Sequence, residues 1–187
     1  MQEVRRQLDY FDISQICDSG QCFRMSRLED DSYAIIAKDR YLRLVQNDKE
    51  CLFYCGEEEF DTFWKQYFDL DTDYSAFIGR SVQGQILEPG GSRRKRNPYS
   101  AQDLWEMIVS FLISQQNHIV RIRRCIENLC IKYGEERQNF DGSRYYTFPA
   151  PEALAFLDEE ALKECNLGYR SKYVVRTAKS IAEGRSP

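Results

Sequence analysis

The sequence predicts an α+β protein in which an antiparallel sheet precedes a helical half. The first half contains four short segments rich in aromatic and β-branched residues, which partly alternate with polar residues. In the second half, apolar residues recur every three or four positions, as they do on one face of a helix. We therefore expect a sheet-containing domain over residues 1–97 and a helical domain over residues 98–187.

The predicted strands are Gln21–Met25, Ser32–Lys38, Arg40–Gln46 and Glu50–Cys55. Between the last two, Gln46–Lys49 reads as a hairpin turn, because Asn and Asp tolerate left-handed backbone. Hairpins between neighbouring strands predict antiparallel pairing.

A helix is expected over Glu58–Phe68, where five aromatic residues share one face, and Asp69–Asp73 should end it. The stretch Glu88–Pro98 is rich in turn formers and reads as the connection between the halves. Its cations, Arg93 to Arg96, could touch phosphates or form a solvated basic loop.

The helical half begins with a predicted helix over Ala101–Ser114, for which Ser100 is the expected N-cap. Its apolar face is predicted to comprise Leu104, Trp105, Ile108, Phe111 and Leu112. The face of the next helix comprises Ile119, Ile122, Ile126, Leu129 and Tyr133, and Gly134 should end that helix as the C′ residue.

Two short helices should follow, one introduced by Pro149–Pro151 and running through Ala155, and one over Glu159–Cys165. Asn166–Gly168 reads as a tight turn. A final helix is expected over Arg170–Ala182 and should end at Gly184, with these residues inward: Tyr173, Val174, Thr177, Ala178 and Ile181.

The formal net charge is −4 over 187 residues, but residues 1–91 carry −8 and residues 92–187 carry +4. Any DNA contact should therefore lie mainly on the second half. No apolar run is long enough to span a membrane, and the N-terminus lacks the apolar core of a signal peptide. The expected location is cytoplasmic and nucleoid-associated in a prokaryote, or nuclear in a eukaryote.

The chain has seven cysteines, an odd number, and one histidine, His118. With no signal peptide and no Cys-x-x-Cys pair, we expect reduced thiols, no metal site and no cofactor. Cys125 and Cys130 fall among apolar helical positions and are expected in the core.

Four consecutive polar side chains, Ser114 to Asn117, lie between two predicted helices. A buried amide left without a hydrogen-bond partner costs about 1–3 kcal/mol, so these side chains are poor core residues. They suit a surface that binds another polar molecule.

Two further segments have both a structural and a functional interpretation. Gly20, just before the first predicted strand, is either a turn glycine with positive φ or a point of close approach to the backbone. The turn Asn166–Lys172 is either a connection with Tyr169 packed on the surface, or an exposed aromatic wedge flanked by cations.

Taken together and in this order, five segments resemble the 8-oxoguanine DNA glycosylase/lyase family of the helix-hairpin-helix DNA glycosylases. They are Ser19–Arg24, Tyr67–Asp71, Asp103–Gly134, Phe148–Ala155 and Leu167–Val174. The resemblance implies base-excision repair, with double-stranded DNA containing oxidised guanine as the partner and no membrane association. We expect a monomer.

The resemblance also implies roles for individual residues, because a glycosylase must extrude its target base from the duplex. Tyr169 would wedge into the stack, while Gln116, Asn117, Arg121 and Arg170 would contact DNA and the orphan cytosine. The position of Gln116 is often asparagine in the family, and His118 departs from the usual asparagine. Gly20 matches the glycine whose carbonyl meets the lesion.

The family's catalytic lysine and aspartate have no counterpart here, and by this comparison they would lie beyond Pro187. The sequence contains no glycine hairpin followed by lysine, and Lys163, Lys172 and Lys179 lie in ordinary helical contexts. We therefore expect the chain to match the N-terminal two-thirds of such an enzyme, with an incomplete helical domain, and to be inactive alone. The alternatives are a non-catalytic protein that recognises damaged or distorted DNA, and an unrelated α+β interaction domain.

Overall fold

The structure, a computed structural model, describes residues 2–20, 22–72 and 104–184. These residues form two compact units. The first comprises residues up to 35 and from 42 to 72, and the second comprises residues 36–41 and 104–184. The connection Glu88–Pro98, the cap Ser100 and the helix start 101–103 lie outside the described residues.

The chain forms a five-stranded antiparallel sheet from β1 (Val4–Gln7), β2 (Met25–Arg27), β3 (Tyr33–Ala37), β4 (Arg40–Asn47) and β5 (Glu50–Tyr54). Their order in the sheet is β1-β5-β4-β3-β2. Antiparallel pairing joins β1 to β5, β5 to β4 and β3 to β2, and Val4 lies opposite Phe53.

Three of the four predicted strands, β3 to β5, are confirmed, as is the turn between β4 and β5, where Asp48 has φ +51°. The first prediction was wrong in its bounds, since β2 begins at Met25. The backbone bends at residues 23 and 24, and the thiol of Cys22 contacts the Tyr67 hydroxyl at 3.2 Å. The edge strand β1 and helix α1 (Ile13–Asp18) were not predicted.

The predicted aromatic helix of the first unit, α2, is confirmed. It consists of Glu57–Glu59, a π-helical turn over Phe60–Trp64 and Lys65–Tyr67. All five aromatic side chains of its predicted face are buried. They pack with Phe11 and Phe53, mostly edge to face, which is the favoured geometry for aromatic pairs.

The second unit is mainly helical, as predicted. Its helices are α3 (Leu104–Ser114), α4 (Ile119–Tyr133), α5 (Pro151–Ala155), α6 (Glu159–Lys163) and α7 (Ser171–Ala182). A 3-10 turn over Gly168–Arg170 leads into α7, and Gly184, with φ +72°, follows its end. None of the described helices is long and apolar enough to cross a membrane.

The predicted inner face of α3 was partly wrong. Leu104 and Phe111 are each 65% exposed, whereas Trp105, Val109 and Ile113 are buried. The Trp105 indole N–H donates to the Pro149 carbonyl at 2.8 Å, which fixes the rotation of α3 in this unit. In α7, Tyr173 is likewise exposed rather than inward, while Val174 and Ala178 are buried as predicted.

Gly134 does end α4, but not in the left-handed conformation expected of a C′ glycine, since its φ is −82°. A Cβ atom at this position would lie 2.1 Å from the Thr147 carbonyl oxygen. The glycine therefore permits close approach of the hairpin formed by β6 (Glu136–Gln138) and β7 (Arg144–Tyr146), which was not predicted.

All seven cysteines are free and buried. Cys125 and Cys130 lie in the core, as predicted. Burial raises the pKa of the Cys55 thiol to about 12, with the carboxylates of Glu59 and Glu57 adding to the effect.

Candidate nucleic-acid interface

Residues Gln115–His118, which we call the probe loop, connect α3 to α4. The side chain of Asn117 fixes the loop: its Nδ2 donates to the Ile113 carbonyl, and its Oδ1 accepts from the His118 backbone N–H, each at 3.0 Å. The Asn117 backbone N–H donates to the Ser114 carbonyl. In this structure the Asn117 side chain therefore closes the end of α3 and holds the backbone of His118, the N-cap of α4. Direct DNA contact by its amide stays a prediction.

Gln116 has φ +48°, a left-handed conformation that side chains with a Cβ rarely adopt. Such backbone costs on the order of 1–3 kcal/mol and persists only where surrounding contacts impose it. The side chains of Gln115 and Gln116 are both exposed. The loop thus presents Gln116 at the tip of a tight turn, which suits its predicted role of filling a void in a duplex.

The turn that precedes α7 supplies the second part of the interface. Asn166 and Gly168 both have positive φ, at 64° and 60°, which confirms the tight turn. The Cys125 thiol donates to the Asn166 carbonyl at 3.3 Å and so anchors the turn to α4. Tyr169 follows and is 53% exposed. It is therefore available to a stacking partner.

Arg170, in contrast, is only 5% exposed. Its Nε donates to the Gln115 carbonyl at 3.0 Å, and its Nη2 donates to the carbonyls of both Gln115 and Gln116. Its guanidinium also lies 4.6 Å from the centre of the Tyr169 ring. Arg170 thus joins the turn before α7 to the probe loop, and its reading of an orphan base stays a prediction.

Arg121 lies on the first turn of α4 and is exposed. Burial raises the pKa of the Cys125 thiol, and the positive charges of Arg121 and Arg170 partly oppose that rise. Both guanidinium groups therefore lie near the same sulfur atom. The structure brings together Gln116, Asn117, Arg121, Tyr169 and Arg170, the five predicted contact residues of the second unit.

Gly20, the predicted lesion-facing residue, belongs to the first unit. Its φ of +68° confirms the expected turn conformation, which is accessible to glycine without strain. Before it, the Ser19 hydroxyl donates to the Ile16 carbonyl at 2.8 Å, and after it Cys22 contacts Tyr67. The backbone around Gly20 is thus held on both sides.

Sequence reasoning missed two contributors to this interface, the Gln115 backbone carbonyl and the Cys125 thiol as an anchor. A backbone carbonyl leaves no signal in sequence, while Cys125 looked only like a core residue. Among the described residues, no group of His, Cys, Asp or Glu lies close enough together to hold a metal ion.

The exposed polar loop between two helices, faced by Tyr169 and Arg170, lies in a part of the chain that matches a family of base-excision DNA repair proteins. Residues 109–186 match the family model for the HhH-GPD superfamily base excision DNA repair protein. Residues 3–108 match the model for the N-terminal domain of 8-oxoguanine DNA glycosylase. The chain belongs to the 8-oxoguanine DNA glycosylase family.

Known relatives agree with this assignment. The N-glycosylase/DNA lyase of Saccharomyces cerevisiae is 32% identical over 139 residues, which cover 71% of this chain and 36% of the relative. The apo 8-oxoguanine glycosylase/lyase of Clostridium acetobutylicum superposes with a TM-score of 0.89 at 32% identity, covering 98% of this chain and 65% of that chain.

The same Clostridium enzyme in complex with double-stranded DNA containing cytosine opposite 8-oxoguanine gives a TM-score of 0.80 at 29% identity. That match covers 98% of this chain and 66% of that chain. The chain therefore spans roughly one third of the yeast relative and just under two thirds of the Clostridium enzyme.

Proposed function

We propose that this chain is the lesion-reading part of a DNA glycosylase/AP lyase that removes 8-oxoguanine opposite cytosine. The observation that carries the proposal is the meeting of the probe loop, Arg121 and the Tyr169–Arg170 turn on the second unit. We propose that it acts as a monomer on double-stranded DNA, at the nucleoid in a prokaryote or in the nucleus in a eukaryote.

The interface residues fit the steps of base extrusion. An extruded base leaves a void and an orphan partner in the duplex. Tyr169, half exposed beside a cation, can wedge between neighbouring bases, and the exposed Gln116 can enter the void. Arg121 is an exposed residue, and its guanidinium offers paired N–H donors that match the O2 and N3 acceptors of cytosine.

Gly20 would distinguish the lesion from guanine. Oxidation changes N7 of guanine from an acceptor into an N–H donor, so a backbone carbonyl can accept from the lesion but opposes the lone pair of guanine. A contact of this kind is worth about 1–3 kcal/mol, which supplies part of the discrimination. The absent side chain of Gly20 would allow the approach.

Binding can be tested by fluorescence anisotropy with duplexes containing 8-oxoguanine or guanine opposite cytosine. Because base–aromatic stacking is worth about 1–3 kcal/mol, Tyr169→Ala should weaken binding about tenfold or more. Tyr173→Ala is the matched control, since Tyr173 is also an exposed tyrosine and lies four residues further on, in α7, and it should change affinity far less. Equal effects of the two substitutions would argue against a wedge at Tyr169.

Chemistry can be tested by borohydride trapping of a Schiff base on the lesion duplex. Since no glycine hairpin followed by lysine occurs in the 187 residues, we propose that this chain alone forms no covalent adduct. An adduct formed by the chain would contradict that proposal.

The same interface residues would also serve a second candidate function, non-catalytic recognition of damaged or distorted DNA. A chimera that adds the part of the Clostridium enzyme not covered by this chain distinguishes the two candidates. Adduct formation by the chimera supports the glycosylase/lyase reading. Tight lesion binding without an adduct, in a chimera that is folded, supports the binding protein.

A further inference from the structure

Arg170 is almost completely buried, although it carries a charge. Charged side chains are rarely buried to this extent unless they are paired. The hydrogen-bond partners of its Nε and Nη2 are the backbone carbonyls of Gln115 and Gln116, with distances of 3.0 Å from Nε to Gln115 and from Nη2 to Gln116. Both carbonyls belong to the probe loop.

These contacts hold the loop where regular structure ends. The last carbonyls of a helix have no partners within it, and Gln115 lies directly after the last residue of α3. Gln116 adopts left-handed backbone, which requires outside support. Arg170 holds the first half of the loop, and the Asn117 side chain holds the second half.

We propose that Arg170 is a positioning residue that sets the conformation of the probe loop before DNA binds. Its fork of donors fixes the direction of the Gln116 backbone, and hence the direction in which the Gln116 side chain points. Through its contact with the Tyr169 ring, it also couples the loop to the wedge. This role rests on the proposed function, because it assumes that Gln116 and Tyr169 contact DNA.

Loop order can be measured without DNA, so this test is independent of the proposed function. The backbone N–H groups of Asn117 and His118 donate to the Ser114 carbonyl and to the Asn117 side chain, and should be protected from hydrogen exchange. In Arg170→Lys, which cannot form the fork, we expect their protection to fall about tenfold or more. Arg170→Gln keeps a single nitrogen donor and should give an intermediate loss of protection from hydrogen exchange.

Two controls separate positioning from general destabilisation. The backbone N–H groups of Glu135 and Thr147, hydrogen-bonded at the β6–β7 hairpin, should keep their protection in both variants. Arg176→Lys, at an exposed arginine of α7, should leave the protection of the loop amides unchanged. Unchanged loop protection in Arg170→Lys, or an equal loss at the hairpin, would overturn the proposal.

A double-mutant cycle then tests whether Arg170 acts through Gln116. If it does, Gln116→Ala should weaken lesion-duplex binding in the native background but have little further effect when Arg170 is already Lys. Effects that multiply would mean that the two residues act independently, which would also overturn the proposal.

Discussion

Ser171, the first residue of α7, offers a test of the interior of the second unit. It is 1% exposed, and its hydroxyl has no hydrogen-bond partner among the described residues. A buried polar group without a partner costs about 1–3 kcal/mol. Ser171→Ala should therefore stabilise the chain by about 1–2 kcal/mol, after allowance for the small void left by the oxygen.

In a chain of this length, 1 kcal/mol shifts the melting temperature by about 2–4 °C, so we expect a rise of about 2–8 °C. Thermal unfolding can be followed by far-ultraviolet circular dichroism and by the fluorescence of Trp105, which lies in the same unit. Ser180→Ala, half-buried on the same helix, measures helix propensity alone and should raise the melting temperature by less. A lower melting temperature in Ser171→Ala would refute the reasoning, because it would mean that the hydroxyl makes a stabilising hydrogen bond.

Two further predictions concern stability. Trp105→Phe removes the indole donor from the buried Pro149 carbonyl and should cost about 1–3 kcal/mol in urea unfolding, whereas a neutral result would mean that the carbonyl finds another donor. The pKa of Cys55 is about 12 in the folded chain against an ordinary value of 9.0, so stability should fall as pH rises from 9 towards 12. Cys55→Ala should reduce that slope, and an unchanged slope would contradict the assignment.

The sheet shows which strands a sequence can reveal. Buried and half-buried residues alternate along β3, and the three central strands were predicted from this period. The edge strand β1 has only one buried side chain, Val4, and three polar residues follow it. Its pairing with β5 depends on backbone hydrogen bonds, and these leave no signal in the order of apolar and polar residues along the sequence.

The error in α3 has a different cause. Between Leu104 and Ile113 the helix is apolar nearly all round, so its hydrophobic period does not select one face. The face is set by tertiary contacts, including the hydrogen bond between Trp105 and Pro149. In α4, charged residues alternate with the apolar stripe, and the sequence correctly placed Ile122, Ile126 and Leu129 in the core.

Arg121 and Arg170 show that a sequence can indicate which residues lie at a site more readily than it can indicate which partner each residue binds. Both were predicted to read an orphan cytosine, whose O2 and N3 are planar acceptors suited to a guanidinium. Backbone carbonyls are acceptors of the same kind, so an arginine near a polar loop is chemically suited to either partner. Burial separates the two cases: Arg121 is exposed, while Arg170 donates to two loop carbonyls. For Arg170 to read cytosine, its Nε and Nη2 would have to leave those carbonyls, and DNA binding would then release the loop that it holds.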